Sequence, residues 1–237
     1  MKILIFSLVY YPRYIGGAEI AIKEITDRIN PSQIEFDMIT LRKGASRREK
    51  IGNVNIYRVG IPYLFTLSKI LFPALAFIKS ISLNRKNKYN AIWSMMASYA
   101  GFAGLLFKKI NKAIPFILSI QEGDRFEIRE GIFNFFFKKI FENADRIQVI
   151  SSFLKDWSIK MNAKCPIAII PNGVEDVSSA KSESTRNDII SVGRISRQKG
   201  YDVLIEAVDQ VRNSDDNFCI MIYGDGPELR KNEDEIQ

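Results

Sequence analysis

An α/β fold is what the sequence predicts: two doubly wound parallel-sheet domains, the second of them incomplete. Three observations lead there. Continuous apolar runs such as Ile3 to Val9 suit central parallel strands buried on both faces. These runs alternate with segments of helical apolar spacing, as in βαβ units. Twice, at Gly16-Gly17 and at Gly193, glycine stands between such a run and a helix start, where backbone can approach a ligand closely.

Composition bounds the reading. With 237 residues, 46% apolar and 26% charged, the chain has the profile of a soluble globular protein that can bury a core. Domains of roughly 100 to 200 residues make it one and a half domains. The expected division is a first domain over 1–173, a linker over 174–187 rich in Ser and charge, and a partial second domain over 188–237. Cys165 and Cys219 lie among apolar neighbours and make no disulfide framework, which suits a reducing cytoplasm. Only Lys2 precedes the first apolar run and no small-x-small cleavage site follows it, so it reads as a strand and not a signal peptide. Residues 1–170 carry 26 Lys+Arg against 13 Asp+Glu, whereas 171–237 carry 8 against 14. That asymmetry points to an anionic surface or ligand for the first part alone.

In chain order, Gly16-Gly17 leads into a helix with Ile20, Ala21, Ile25 and Ile29 at apolar spacing. The loop amides could face a phosphate or a sugar; a plain tight turn is the other reading. Ile34 to Leu41 and Val54 to Val59 read as strands separated by an exposed basic loop, Arg42 to Lys50. Ile61 to Leu83 is long and apolar, but Lys69, Pro73 and Lys79 interrupt it, so it should not span a bilayer. Ala91 to Phe107 reads as a strand followed by a small-residue helix packed on the sheet. Phe116 to Ile120 is a strand ending in Gln121-Glu122-Gly123-Asp124, at the end where α/β sheets bind ligands. Ile132 to Phe141 sets five phenylalanines beside Lys138 and Lys139; such a helix either packs in a core or lies on an anionic membrane. Ala144 to Ser151 and Ala168 to Pro171 complete the first set of strands, with a helix over Ser152 to Met161, and Asn172-Gly173 is a turn.

The second domain opens on the stretch with most chemistry. Ile189, Ile190 and Val192 read as a short buried strand ended by Gly193; Arg194, Arg197 and Lys199 follow, and Gly200 opens a helix with Val203, Leu204, Ala207, Val208 and Val211 on one face. Cations beside a helix N-terminus, just past a strand's C-terminal end, make a diphosphate cradle. A strand over 218–223 and a helix opening at Gly226-Pro227 close the chain.

The segment VGRISRQKGYDVLIEAV resembles the signature of the group 1 (family 4) nucleotide-sugar glycosyltransferases of GT-B fold. Four further pieces fall in family order: GGAE at Gly16 to Glu19, ADRIQVIS at Ala144 to Ser151, IPNGVE at Ile170 to Glu175, and GDGPEL at Gly224 to Leu229. The resemblance implies a GT-B-like architecture of two Rossmann-like domains. It further implies transfer of a sugar from a nucleotide-diphosphate donor to a glycan or lipid-linked acceptor, with retention of configuration. Arg194 and Lys199 would hold the diphosphate with Gly193, Gly16 and Gly17 would close over it, and Gly224 and Gly226 would form a nucleotide-side loop. Many members carry a His near Gln121 that reaches the sugar, but this chain has no His. General acid/base work would then fall to a carboxylate such as Glu122, Asp124 or Glu127, or to the leaving diphosphate itself. Glu122 and Glu130 match the family's Glu-x7-Glu spacing but lie in the wrong domain; the genuine pair would fall beyond Gln237. No cofactor or metal is expected, and the absence of an Asp-x-Asp triplet agrees. Lys and Arg are scattered with no aromatic-interleaved reading surface, so no nucleic acid is expected. Cytoplasmic placement with peripheral membrane contact is the expected setting. A sugar-nucleotide epimerase of the same architecture and a non-catalytic, nucleotide-sugar-binding subunit remain as alternatives.

Overall fold

The computed structural model describes residues 1–43, 46–121, 123, 131, 134–174, 189–212 and 219–229. The chain divides into two compact units, Met1–Glu175 and Asp176–Gln237. Glu122, Asp124, Glu127 and Glu130, and nearly all of the expected linker, lie outside the described residues.

The first unit is built on an eight-stranded sheet. Its strands are β1 (Lys2–Phe6), β2 (Glu35–Leu41), β3 (Arg48–Ile51), β4 (Val54–Val59), β5 (Ala91–Met95), β6 (Phe116–Ile120), β7 (Arg146–Val149) and β8 (Ile167–Ile169). Their order in space is β3-β4-β2-β1-β5-β6-β7-β8, with every pairing parallel except β3 to β4. The chain runs outward from β1 to β4, returns to β5, and then runs out the other way. The direction of winding therefore reverses between β1 and β5, the place where open α/β sheets bind ligands.

Alternation along the strands builds two cores. Leu4 and Phe6 of β1 join Phe116 and Leu118 on one face, where α2 (Phe65–Asn87), α3 (Tyr99–Ile110), α4 (Asn134–Asn143) and α5 (Ser152–Lys160) contribute Phe72, Phe107, Ile140 and Trp157. Ile5, Met38, Ile56 and Trp93 face the other way and meet Ala18 and Ile22 of α1 (Gly17–Arg28). The expected stripe on α1 holds at Ala21, which is buried, and at Ile29, which packs on this core, but Ile20 and Ile25 are exposed and Ala18, Ile22 and Thr26 take the inner positions. Thr26 can go inside because its hydroxyl donates to the Ile22 carbonyl at 2.9 Å.

The small-residue reading of α3 is sound. A Cβ on Gly104 would come within 2.9 Å of the Phe116 ring, and one on Gly101 within 3.1 Å of Ile140, so the missing side chains let α3 seat deeply. The Arg42 to Lys50 segment, in contrast, is not all loop. Its end forms β3, whose residues pair across the hairpin with β4: Arg48 lies 5.3 Å from the centre of the Tyr57 ring, and Glu49 pairs with Arg58.

The second unit is small. β9 (Ile189–Val192) and β10 (Ile220–Tyr223) form a parallel pair, followed in the first case by a 3-10 turn (Arg197–Lys199) and α6 (Tyr201–Arg212). The expectation of a buried strand fails here: Ile190 is 59% and Val192 77% exposed. The described part of this unit sets one helix and one short turn against two strands, which leaves apolar strand and helix positions, Val203 among them, open.

Candidate functional site

In the first unit, Gly16-Gly17 and Gln121 lie in loops at the C-terminal ends of β1 and β6. The first of these loops joins β1 to α1. Tyr10 anchors it, with 1% of its surface exposed, and burial holds its phenol protonated well above the usual range. Leu8 is tied to β2 by a bond from the Leu41 amide at 2.9 Å. From β4, the buried Arg58 donates to the Tyr11 carbonyl at 2.5 Å and through Nε to Glu49 at 2.9 Å. This arginine fixes the glycine loop from two strands away, and sequence reasoning missed it. Its signal was a lone charge inside the apolar run VNIYRV.

Gly16 is extended and caps α1 without a side chain, and Gly17 is the first residue of the helix, the kind of N-terminus at which anions bind. The two glycines differ. A Cβ on Gly16 would press on the Glu19 carboxylate at 2.6 Å, whereas one on Gly17 would meet nothing within 4 Å. Beside them Tyr14 stacks on Phe65 at 6.3 Å, and the Lys43 ammonium sits 5.1 Å from the centre of each ring.

The β5–α3 loop faces the point where winding reverses, and it holds Met96 at φ 72. A non-glycine residue in the left-handed region is uncommon and clusters at functional sites; the sequence carried no sign of it. After β6, Gln121 does meet a partner: its side-chain amide pairs reciprocally with Asn172, three residues past β8, through two bonds of 3.1 Å. Asn172, expected only as a turn residue, thus shares the site with Gln121.

In the second unit, Gly193 follows β9, and only Ile195 and Tyr201 are buried in the segment after it. Ile195 and Tyr201 are 3% and 5% exposed and anchor the segment, leaving Arg194, Arg197 and Lys199 in solvent. Lys199 belongs to the 3-10 turn, and Gly200, at φ 66, ends that turn and starts α6 one residue later than expected. Three exposed cations therefore lie between β9 and the start of α6, and a helix N-terminus favours negative charge nearby.

Gly224 and Gly226 have a structural part. The Gly193 amide donates to Tyr223 at 3.0 Å, the Ile195 amide to Asp225 at 3.0 Å, and the Glu228 amide to Ile195 at 3.3 Å. A Cβ on Gly226 would lie 2.5 Å from the Ile195 carbonyl carbon, and one on Gly224 3.1 Å from that of Gly193. Backbone thus packs on backbone, and the 224–226 turn holds the cationic loop in place. Among the described residues no three His, Cys, Asp or Glu side chains are grouped as metal ligands would be.

Known proteins resemble this one along its whole length. An uncharacterized glycosyltransferase of Methanocaldococcus jannaschii is 30% identical over 98% of the chain and 62% of its own length. Sucrose-phosphate synthase of Thermosynechococcus elongatus superposes with a TM-score of 0.69 at 16% identity, over 99% of the chain and 65% of that structure. A lipopolysaccharide outer core galactosyltransferase in its apo form gives 0.64 at 16% identity, over 99% and 64%. The chain thus spans under two thirds of the length of these relatives, and the structural likeness shows a GT-B fold. Residues 15–177 match Glycosyltransferase Family 4 and residues 175–237 match Glycosyl transferases group 1, so the chain belongs to the group 1, family 4 glycosyltransferases.

Proposed function

We propose that the protein transfers a glycosyl unit from a nucleotide-diphosphate sugar to a glycan or lipid-linked acceptor, with retention of configuration. The observation that carries this reading is the turn after β9: exposed Arg194 and Lys199 on a backbone anchored by Ile195 and Tyr201, beside the first amides of α6. Charge-assisted hydrogen bonds contribute roughly 1.5 to 3 kcal/mol each and a helix terminus about 0.3 to 2. Together they suffice for a diphosphate at micromolar to millimolar strength.

In the reaction the bond from the sugar's anomeric carbon to the diphosphate oxygen breaks. A bond to the acceptor oxygen forms on the same face, and the acceptor's proton passes to the departing diphosphate. No protein base is needed, which suits a chain without His. Arg194 and Lys199 stabilise the charge that develops on the leaving group. Gln121, steadied by Asn172, presents amide groups for sugar hydroxyls, and the open space over Gly17 leaves the α1 amides approachable. The unpaired Cys165 and Cys219 support a cytoplasmic setting.

Calorimetric titration with a nucleotide-diphosphate sugar tests the cradle: Arg194→Ala and Lys199→Ala should each weaken binding about tenfold or more. Unchanged affinity in both variants refutes it. Product analysis tests the reaction itself, since a joined glycoside supports transfer and a free epimerised sugar nucleotide overturns it.

A further inference from the structure

α2 is apolar on its outer side as well as its inner one, which is unusual for a helix in water. Toward the sheet it sets Ser68 and Ser80, at 1% and 0% exposure, alongside Phe72, Ala76 and Leu83. Outward it shows Leu67, Ile70, Leu71 and Ile78, of which Ile70 is 61% and Ile78 65% exposed. A surface helix ordinarily turns polar side chains outward. The buried hydroxyls are settled: Ser68 accepts from the Ile61 amide at 2.8 Å and Ser80 donates to the Phe77 carbonyl at 2.6 Å. Rotating the helix would expose Phe72 and Leu83 and break the Ile61-to-Ser68 bond, so the outward apolar face belongs to this fold.

The neighbours extend the face. α3 packs against both α2 and α4. It exposes Ile110 at 56%, and α4 exposes Phe135 at 64% and Phe136 at 57%. The rest of α4 settles the sequence's open question differently from either reading alone: Ile140 and Phe141 are fully buried in the core while the helix start faces out. Ile132 and Phe133 lie outside the described residues.

Charge identifies what this face meets. From Lys50 to Gln121 the chain holds ten Lys and Arg and no Asp or Glu. Within α2, α3 and α4 the only acid is Glu142, which is paired with Lys139 at 2.7 Å. The cations frame the apolar surface. Lys69 and Lys79 lie over the rings of Tyr99 and Tyr57, and Arg85 and Lys86 stand exposed at the end of α2. There Phe77, Ile78, Ile81 and Ser82 run up to Arg85 and Lys86 in one shallow groove, an apolar bed ending in two cations. That is the chemistry of an acyl chain joined to a phosphate headgroup. α2 is 23 residues long and its most apolar 18-residue stretch has a mean hydropathy of 1.4, enough by length and composition to cross a bilayer, but its inner side packs on the sheet.

We infer that the outer face of the α2–α3–α4 layer docks on an anionic phospholipid bilayer, with α2 lying in the interfacial plane. Apolar side chains enter the headgroup boundary and the surrounding Lys and Arg meet lipid phosphates, as in helices that lie on membranes. The inference is independent of the transfer reading, since docking is measured without donor or acceptor.

Sedimentation of the purified chain with phosphatidylcholine vesicles, with and without phosphatidylglycerol, tests it. Partitioning onto anionic vesicles should exceed that onto neutral ones at least tenfold and fall steeply with salt. Ile70→Ser with Ile78→Ser should cut it about tenfold at an unchanged melting temperature, because both side chains are exposed. Arg85→Ala with Lys86→Ala should remove mainly the anionic preference. Equal and negligible binding to both vesicle types overturns the inference. So does a concentration-dependent dimer, without vesicle binding, that the Ile70→Ser and Ile78→Ser changes dissolve.

Discussion

Gly226→Ala is the change that asks most of the second unit. The new methyl would lie 2.5 Å from the carbonyl carbon and 2.7 Å from the nitrogen of Ile195. Carbon contacts settle at about 3.5 to 4.0 Å, so the overlap is on the order of 1 Å. The obstacle is backbone, which cannot swing aside as a side-chain end can. Overpacking costs typically about 1 to 3 kcal/mol, and this site belongs at the upper end. Relief by separating the two loops would sacrifice the Ile195-to-Asp225 and Glu228-to-Ile195 bonds, each contributing about 1 kcal/mol. The first route comes to about 3 kcal/mol and the second to about 2; the cheaper one sets the effect, roughly thirtyfold in the ratio of closed to open loop. Hydrogen exchange at the Ile195 amide should therefore accelerate about thirtyfold, and affinity for a nucleotide-diphosphate sugar should drop with it. Arg194→Ala provides the contrast, losing affinity while the Ile195 amide stays protected. If Gly226→Ala keeps both the protection and the affinity, the 224–226 turn does not hold the cationic loop and the reasoning fails.

Gly17→Ala should leave the melting temperature unchanged or slightly raised, because its Cβ meets nothing and alanine stiffens the unfolded chain. If substrate uses that open space, transfer falls about tenfold in the same variant, and full activity would show that the space is idle. Glu142→Gln should cost well under 1 kcal/mol at neutral pH, since Lys139 is 39% exposed and screened by solvent. The bond from Lys139 and then that from Asn162 hold the Glu142 carboxyl below its ordinary range. A lowered folded value means that its contribution is present above the unfolded value and fades as pH falls through the folded one. Wild-type and Glu142→Gln melting curves should accordingly differ at pH 7 and converge in acid; a constant gap would exclude the linkage.

What the sequence revealed depended on whether a segment's stability is local or borrowed. β1, β5 and β6 are continuous apolar runs buried on both faces, and they could be read directly. β3 could not. REKI is polar, and it becomes a strand only through partners on β4, with Glu49 on Arg58 and Arg48 on Tyr57. The same limit hid Arg58, whose importance lies in the Tyr11 carbonyl, 47 positions away in sequence. The cations at Arg194 and Lys199 were legible because a phosphate-binding turn writes its glycine, charges and helix start within a few residues. Asn172 was not, since its meaning depends on Gln121 at the end of another strand. Apolar content also misled in two places. β9 looked like a core strand and is open, and of the isoleucines of α1 it is Ile22 that is buried, while Ile20 and Ile25 are exposed.

The paired amides of Gln121 and Asn172 bear on how the protein copes with its surroundings. Where an imidazole would gain and lose a proton across the physiological range, two carboxamides keep one charge state and one set of donors and acceptors throughout. A fall in pH through the imidazole range would therefore leave the charge and the hydrogen bonding of this pair unaltered.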